Sequence, residues 1–395
     1  MSSNEVTHLT TTEDYLAGFG EEPGYLDFGR VGPLSATVAA EQEAAVELLM
    51  RARSGTLDGL FGQDERVRTA AAALVRVPAD HVVFQPNTST GLLHALLGTS
   101  GAVLLSAAEF PSLPFAAVRA AEALGSVEPR WLRTEQGRVT PEAVREQLTD
   151  DVTTVAVSLV DSRTGYLADV AAIRDVIGDR MLVLDAIQGF GVVDAPYELA
   201  DVVVTGGQKW LRAGWGTGFL ALSERALSRV APVLSGWSGS EQAEPWDEVA
   251  PPREDAQAFS ISKPDPIAQA RLASALEEVA VVGQSTIAAL VAERVSAIVD
   301  LADEFGLAVV GSRGEHERAG MVVVEPEPEE LAPLAASLAA HGVTARLRPG
   351  TVRFSAHAGT TDETLALLRA ALISAATSIV YELRIPRVHV LVTYS

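Results

Sequence analysis

The sequence predicts an α/β fold, a mostly parallel sheet with helices on both faces followed by a smaller α/β domain. Three observations carry that expectation. From about residue 60 to 225, short runs of Val, Leu, Ile and Phe alternate with amphipathic helical patterns, the order that strand–helix–strand units produce. Most of these runs are continuously apolar rather than alternating, as strands buried on both faces are. The 395 residues allow two or three domains, and 48% apolar residues suffice for a large core.

Taken in order, strands are expected over residues 81–85, 103–106, 153–159, 182–184, 202–204 and 219–222. Helices are expected over 91–97, 114–124, 141–147 and 169–176. Residues 235–266, rich in Gly, Ser, Glu and Pro, read as a crossover. A long helix over 267–305, broken near Gly283, follows it. Strands at 308–310, 321–325 and 352–355, with helices at 331–341 and from 362, complete the smaller domain. The expected division is 1–40 as an N-terminal segment packing with the small domain, 41–265 as the large domain and 266–378 as the small one. The tail 379–395 is atypical, with Arg384, Arg387 and His389 among β-branched residues, and reads either as an added strand or as an extraneous extension.

Thirty Lys and Arg against 52 Asp and Glu give a net charge of −22. Such a surface repels phosphate backbones and anionic lipid, so neither nucleic acid nor membrane is expected as a partner. The N-terminus is polar and acidic, unlike a signal peptide, and no stretch of 18 apolar residues occurs. A soluble, cytoplasmic protein is expected. There are no cysteines, which removes disulfides, thiolate catalysis and cysteine-based metal sites. The seven histidines are scattered without paired ligand spacing, so no metal is expected.

Of the 30 basic residues only Lys209 and Lys263 are lysine, leaving 28 arginines. A guanidinium keeps its proton, whereas a desolvated lysine amine can lose one and form a Schiff base. Asp185 stands where strand 182–184 ends, and Lys209 lies 24 residues later, just past strand 202–204. Carboxyl ends of strands in open α/β sheets are where ligands bind, so both side chains can enter one crevice. A capping Asp and a surface Lys are the plainer alternative. Asn87-Thr88-Ser89-Thr90-Gly91 opens a helix after a strand. It is either an ordinary cap or an anion site. Gly214-Trp215-Gly216-Thr217-Gly218 lacks the third-glycine spacing of a dinucleotide site and precedes a strand.

Together these residues resemble the class V branch of the fold-type I pyridoxal-phosphate enzymes, which includes aminotransferases, cysteine desulfurases, kynureninases and isopenicillin N epimerase-like proteins. The resemblance runs from Tyr25-Leu26-Asp27-Phe28 to the helix after Asp362. It is most specific in Leu184-Asp185-Ala186-Ile187-Gln188-Gly189, Gly207-Gln208-Lys209-Trp210 and Gly216-Thr217-Gly218-Phe219. It implies the aspartate-aminotransferase-like fold with a seven-stranded-type sheet, pyridoxal 5'-phosphate as cofactor, an amino-acid substrate and a homodimer with shared active sites. Lys209 is then the lysine that carries the cofactor, and Asp185 the acid on its ring nitrogen. Gln188 contacts the phenolic oxygen, Phe110 stacks on the ring, and Thr88, Ser89 and Gln208 hold the phosphate. Arg353 matches the arginine for the substrate carboxylate, while Arg30, Arg163 and Arg348 are candidates for a second anchor.

Five departures from the family pattern bear on the reaction. No cysteine is present for persulfide chemistry. Ser162 replaces a frequent asparagine near the cofactor oxygen, and Gly206 a frequent phosphate-binding serine. Ser262-Lys263-Pro264 replaces Gly-Thr-Pro, so Lys263 could reach the partner subunit's phosphate as a point charge. Gly359-Thr360 replaces a common Tyr-Asn pair. The expected activity is a carbon–sulfur β-eliminating lyase on a cysteine derivative. An aminotransferase, an amino-acid epimerase and a non-catalytic binding protein are the alternatives.

Overall fold

The structure is a computed structural model, and it describes residues 11–53, 55–242 and 247–384. The chain opens with four helices: α1 (Thr12–Ala17), α2 (Ala36–Arg51), α3 (Thr56–Phe61) and α4 (Gln63–Val75). Strand and helix then alternate: β1 (Val82–Phe84), α5 (Thr88–Gly98), β2 (Gly101–Leu105), α6 (Ser112–Leu124), β3 (Val127–Trp131), α7 (Pro141–Gln147), β4 (Val152–Ser158), α8 (Val170–Ile177), β5 (Met181–Asp185), β6 (Val202–Gly206) and β7 (Gly218–Leu222). Local chemistry sets the boundaries. Asn87 Oδ1 accepts from Thr90 N at 2.9 Å to start α5, and Asp169 Oδ1 accepts from Ala172 N at 2.9 Å to start α8.

These seven strands form one sheet in the order β1-β7-β6-β5-β4-β2-β3. It is parallel except at β7, which runs antiparallel to both β1 and β6. Both faces are buried, and the strand residues alternate between them. Leu104, Val155, Leu182 and Val203 join the core on one face, and Val103, Ala156, Val183 and Val204 the core on the other. That two-sided burial is why the runs read as continuous apolar stretches. Strand β3 carries no such signal, because Pro129 interrupts it and it buries little more than Val127. It lies at the sheet edge, where a proline is tolerated. The helices α2, α3 and α4 are also additions to the elements the sequence predicts.

After α9 (Glu224–Arg229) and the crossover come α10 (Pro266–Val282) and α11 (Gln284–Glu304). Helix α10 packs on α2 and α4, and α11 packs on the second sheet. The chain passes from the first set of helices to the second at Gly283, between α10 and α11. The second sheet comprises β8 (Ala308–Val309), β9 (Met321–Glu325), β10 (Arg346–Arg348) and β11 (Thr351–Ser355), ordered β10-β11-β9-β8 and antiparallel, with α12 (Leu331–Ala340) and α13 (Asp362–Arg384) beside it. The N-terminal segment bridges to this sheet through Tyr25–Thr344 and Asp27–Ser355. Helix α13 extends to Arg384, and the rest of the tail that the sequence sets apart lies outside the described residues. No single helix among those described is long and apolar enough to cross a membrane. The pair α10 and α11, which would suffice together, bends by 85°.

The N-terminal segment also crosses the loop after β6. Gly32 N donates to Gln208 O at 2.8 Å, and a Cβ on Gly32 would lie 2.0 Å from Lys209 O. Only glycine permits so close a backbone crossing. Gly32→Ala is expected to cost about 1–3 kcal/mol, read as a lower midpoint in denaturant unfolding. A wild-type midpoint would show that the crossing yields without strain.

Candidate active site

Strands β5 and β6 are parallel neighbours, with Asp185 paired to Val204. Asp185 therefore ends its strand just where β6 runs on into the Gly206–Lys209 turn. Asp185 is 2% exposed and Lys209 8%. Burial pushes the Asp185 carboxyl up to about 6, against the pull of the Ile187 amide, which donates to Oδ1 at 3.1 Å, and of Lys209. Burial lowers the Lys209 amine to about 8, and the Asp185 charge resists that fall. Each group limits the cost of burying the other. The result is an amine that is partly neutral near physiological pH.

Beside this pair is a cradle for an anion. Thr88 begins α5, where first-turn amides have no partners within the helix. Its Oγ1 is buried and makes no hydrogen bond. Gly206 closes the cradle. A Cβ there would sit 2.5 Å from Gln208 Oε1 and 2.9 Å from Thr88 Oγ1. The glycine that departs from the family pattern is thus the space into which the Gln208 amide folds. A buried hydroxyl lacking a partner, a side-chain amide and a helix N-terminus suit a phosphate. Ser89 Oγ lies 2.7 Å from Ser112 Oγ at the rim. With the acid–amine pair alongside, the residues present fit pyridoxal phosphate.

Phe110, 43% exposed, presents its ring with the Lys209 Nζ 5.4 Å from the centroid. Gln188 is buried, but its amide is engaged. Its Nε2 donates to Gly29 O at 3.0 Å and its Oε1 accepts from Trp210 Nε1 at 3.1 Å. The second N–H of that amide is all it can offer a phenolic oxygen. Arg353 is buried on β11. It donates through Nη1 to Ser162 O at 3.0 Å, pairs through Nη2 with Asp27 Oδ1 at 3.3 Å, and leaves Nε without a partner. Ser162 thus meets the site through its carbonyl. Arg30 is exposed near the same pair. Lys263 lies elsewhere, in a cavity of about 740 Å³ that does not include Lys209, with Nζ 5.3 Å from the Phe61 ring and 5.7 Å from the Trp237 ring.

Two carboxylates of this region carry no signal in the sequence. Asp27 is the ion-pair partner of Arg353, and burial raises its carboxyl against the pull of that arginine. Glu109, next to Phe110, accepts from Ser158 N at 3.1 Å, and burial pushes it up to about 7. Both sit within or beside the motifs that carry the family resemblance, yet an acid in a motif resembles any surface acid until its burial is seen.

The model of the family Aminotransferase class-V matches residues 60–373. The kynureninase of Deinococcus radiodurans is 32% identical over 276 residues, 64% of this chain and 64% of that protein, so the chain spans a little under two thirds of its relative's length. Among solved structures, the apo cysteine desulfurase of Thermococcus onnurineus NA1 superposes with a TM-score of 0.82 at 19% identity, covering 93% of this chain and 98% of that one. The cystine C–S lyase C-DES, solved with its reaction product cysteine persulfide, gives 0.79 at 18% identity, covering 89% and 97%. At such identities both speak for the fold.

The depressed amine can be titrated directly. In cofactor-free protein, acetylation of Lys209 by acetic anhydride, followed by peptide mass spectrometry, is expected to rise through a midpoint near pH 8. Asp185→Asn removes the charge that favours the ammonium, so its midpoint should move lower. A midpoint at the ordinary lysine value in both proteins would contradict the burial argument.

Proposed function

The chain belongs to the class-V aminotransferase family and is a pyridoxal-phosphate enzyme, and from that premise we propose that it is a carbon–sulfur lyase, cleaving the Cβ–S bond of an S-substituted cysteine. The observation that carries this reading is an amine–acid pair, with an arginine nearby for the substrate, in a chain without a single cysteine. With no protein thiol to take up sulfur, the sulfur leaves bonded to its substituent. Overall, the cysteine thioether and water give pyruvate, ammonia and a thiol.

When bound, pyridoxal phosphate supplies a carbonyl that joins to amines and a cationic ring nitrogen that draws electrons from Cα. Thr88 Oγ1, the Gln208 amide and the first amides of α5 would hold its phosphate, with Ser89 at the rim. Asp185, ionised at neutral pH, would hold a proton on a ring nitrogen through a buried charge-assisted hydrogen bond. Phe110 would cover the ring, and Gln188 would reach the phenolic oxygen with its remaining N–H. Arg353 would bind the substrate α-carboxylate through Nε and one Nη, giving up part of its contact with Asp27. That contact would set the Cα–H toward Lys209. Neutral Lys209 Nζ would take the Cα proton, and the resulting ammonium would give that proton to the thiolate as the Cβ–S bond breaks.

A second reading, hydrolysis of a kynurenine-type substrate, is favoured by the 32% identity to a kynureninase. The homodimer also stands as a proposal. Phe61, Trp215, Trp237 and Ile261 expose apolar surface around the Lys263 cavity, of the kind that marks an interaction site when it is contiguous. Sedimentation of the holoenzyme should give the mass of two chains, and a monomer at micromolar concentration would remove this proposal.

The holoenzyme, given S-substituted cysteines and no keto acid, should release pyruvate over many turnovers, and Lys209→Ala should lose that activity by at least a thousandfold. Absence of pyruvate would overturn the lyase reading. Amino transfer to an added keto acid would replace it with transamination, and consumption of kynurenine with the second reading.

A further inference from the structure

Strands β10 and β11 pair with Arg346 opposite Arg353 and Arg348 opposite Thr351. Residues two apart share a face of a strand. Arg346, Arg348 and Arg353 therefore project from one side of the hairpin. Like charges directly opposite destabilise a sheet, and here one of them is buried, where screening is weakest. Arg353 is lowered to about 10, first by burial, then by the Arg348 charge and least by Arg346, against the pull of Asp27. The charge reaches the amine too, because Arg353 and Arg348 both help to depress Lys209. Arg163 and Arg30 add to the same field, acting on Arg348 and Asp27 respectively.

Little answers this charge. Asp27 pairs with Arg353, and Asp161 is taken up locally, its Oδ1 accepting from Arg163 N, Thr164 N and Thr164 Oγ1. Among the described residues, Arg30, Arg346 and Arg348 have no carboxylate within 4 Å, unlike Arg163 and Arg353. In a chain of net charge −22, five arginines converge on two acids. A substrate α-carboxylate answers one of them, and a cofactor phosphate has its own donors in the α5 cradle.

We propose that Arg348, with Arg346 beside it, binds a second anion at the far end of the substrate side chain, so that the substrate is an amino acid whose Cβ substituent ends in a carboxylate or sulfonate. This rests on the placement of Arg353 and Lys209 in the preceding section, but it does not require that the Cβ–S bond be the one that breaks.

S-carboxymethylcysteine and S-carbamoylmethylcysteine have nearly the same size and differ by one charge. Their dissociation constants for the holoenzyme can be read from the change in cofactor absorbance. The carboxymethyl compound should bind roughly tenfold tighter or more. Arg348→Gln should bring the two within about twofold, and Arg348→Lys should restore part of the difference. Arg346→Gln, at an exposed position, should lower the ratio as a second variant. Equal binding by the wild type, or a ratio unchanged in both glutamine variants, would overturn the proposal. Pyruvate is scored separately. A preference for the anion without pyruvate sinks the lyase reading and leaves this proposal standing, and pyruvate from both compounds at equal affinity does the reverse.

Discussion

The site is organised around an amine and a carboxyl buried together at the carboxyl ends of two adjacent parallel strands. Either group alone would be too costly to bury as an ion. Together, Asp185 and Lys209 lower each other's cost without eliminating it, and the remainder keeps the amine near pH 8 and the acid near 6. Much of the surrounding architecture serves to hold that pair away from water. The strands β4 to β7 are buried on both faces, the Gly32 segment crosses the turn that carries Lys209, and Trp210 locks Gln188 from below.

A second constraint is the contrast between surface and pocket. The chain is strongly acidic, yet the hairpin of β10 and β11 gathers Arg346, Arg348 and Arg353 on one face, and the charges of Arg353 and Arg348 are felt at Lys209. A basic pocket in an acidic body draws in small anions and repels polyanions, since field lines concentrate in a low-dielectric cleft. The near-total use of arginine suits this design. A guanidinium stays charged when buried, so Arg353 can sit beside Lys209 without competing with it as a proton carrier. The single lysine at the centre is the group whose proton can move.

Much of the site is legible in the sequence because it lies in compact motifs at strand ends. Lys209 stands out by rarity, and Asp185 by position. Other residues are legible by name but not by contact. Gln188 carries two hydrogen bonds inside the protein, the Ser162 carbonyl accepts from Arg353, and Lys263 sits near two aromatic rings in another cavity. In the sequence Gly206 looks like the loss of a phosphate ligand, whereas in the fold the Gln208 amide fills that space. Glu109 and Asp27 give no sequence signal because burial, not residue type, makes them notable.

The sequence by itself determined the fold class, the order of the large sheet's buried strands along the chain, the break at Gly283 and the positions of Asp185 and Lys209 at the ends of successive strands. These depend on local composition and on spacing along the chain, which a sequence states outright. Tertiary structure alone decided which strand reverses direction, where α10 packs, how Gly32 crosses over Lys209, and which arginines share a face. These are contacts between residues far apart in the chain: Arg353 meets Asp27 across 326 residues and Gln188 meets Gly29 across 159. Pairing at such separations is set by register, twist and the filling of a common core, and no local pattern encodes it.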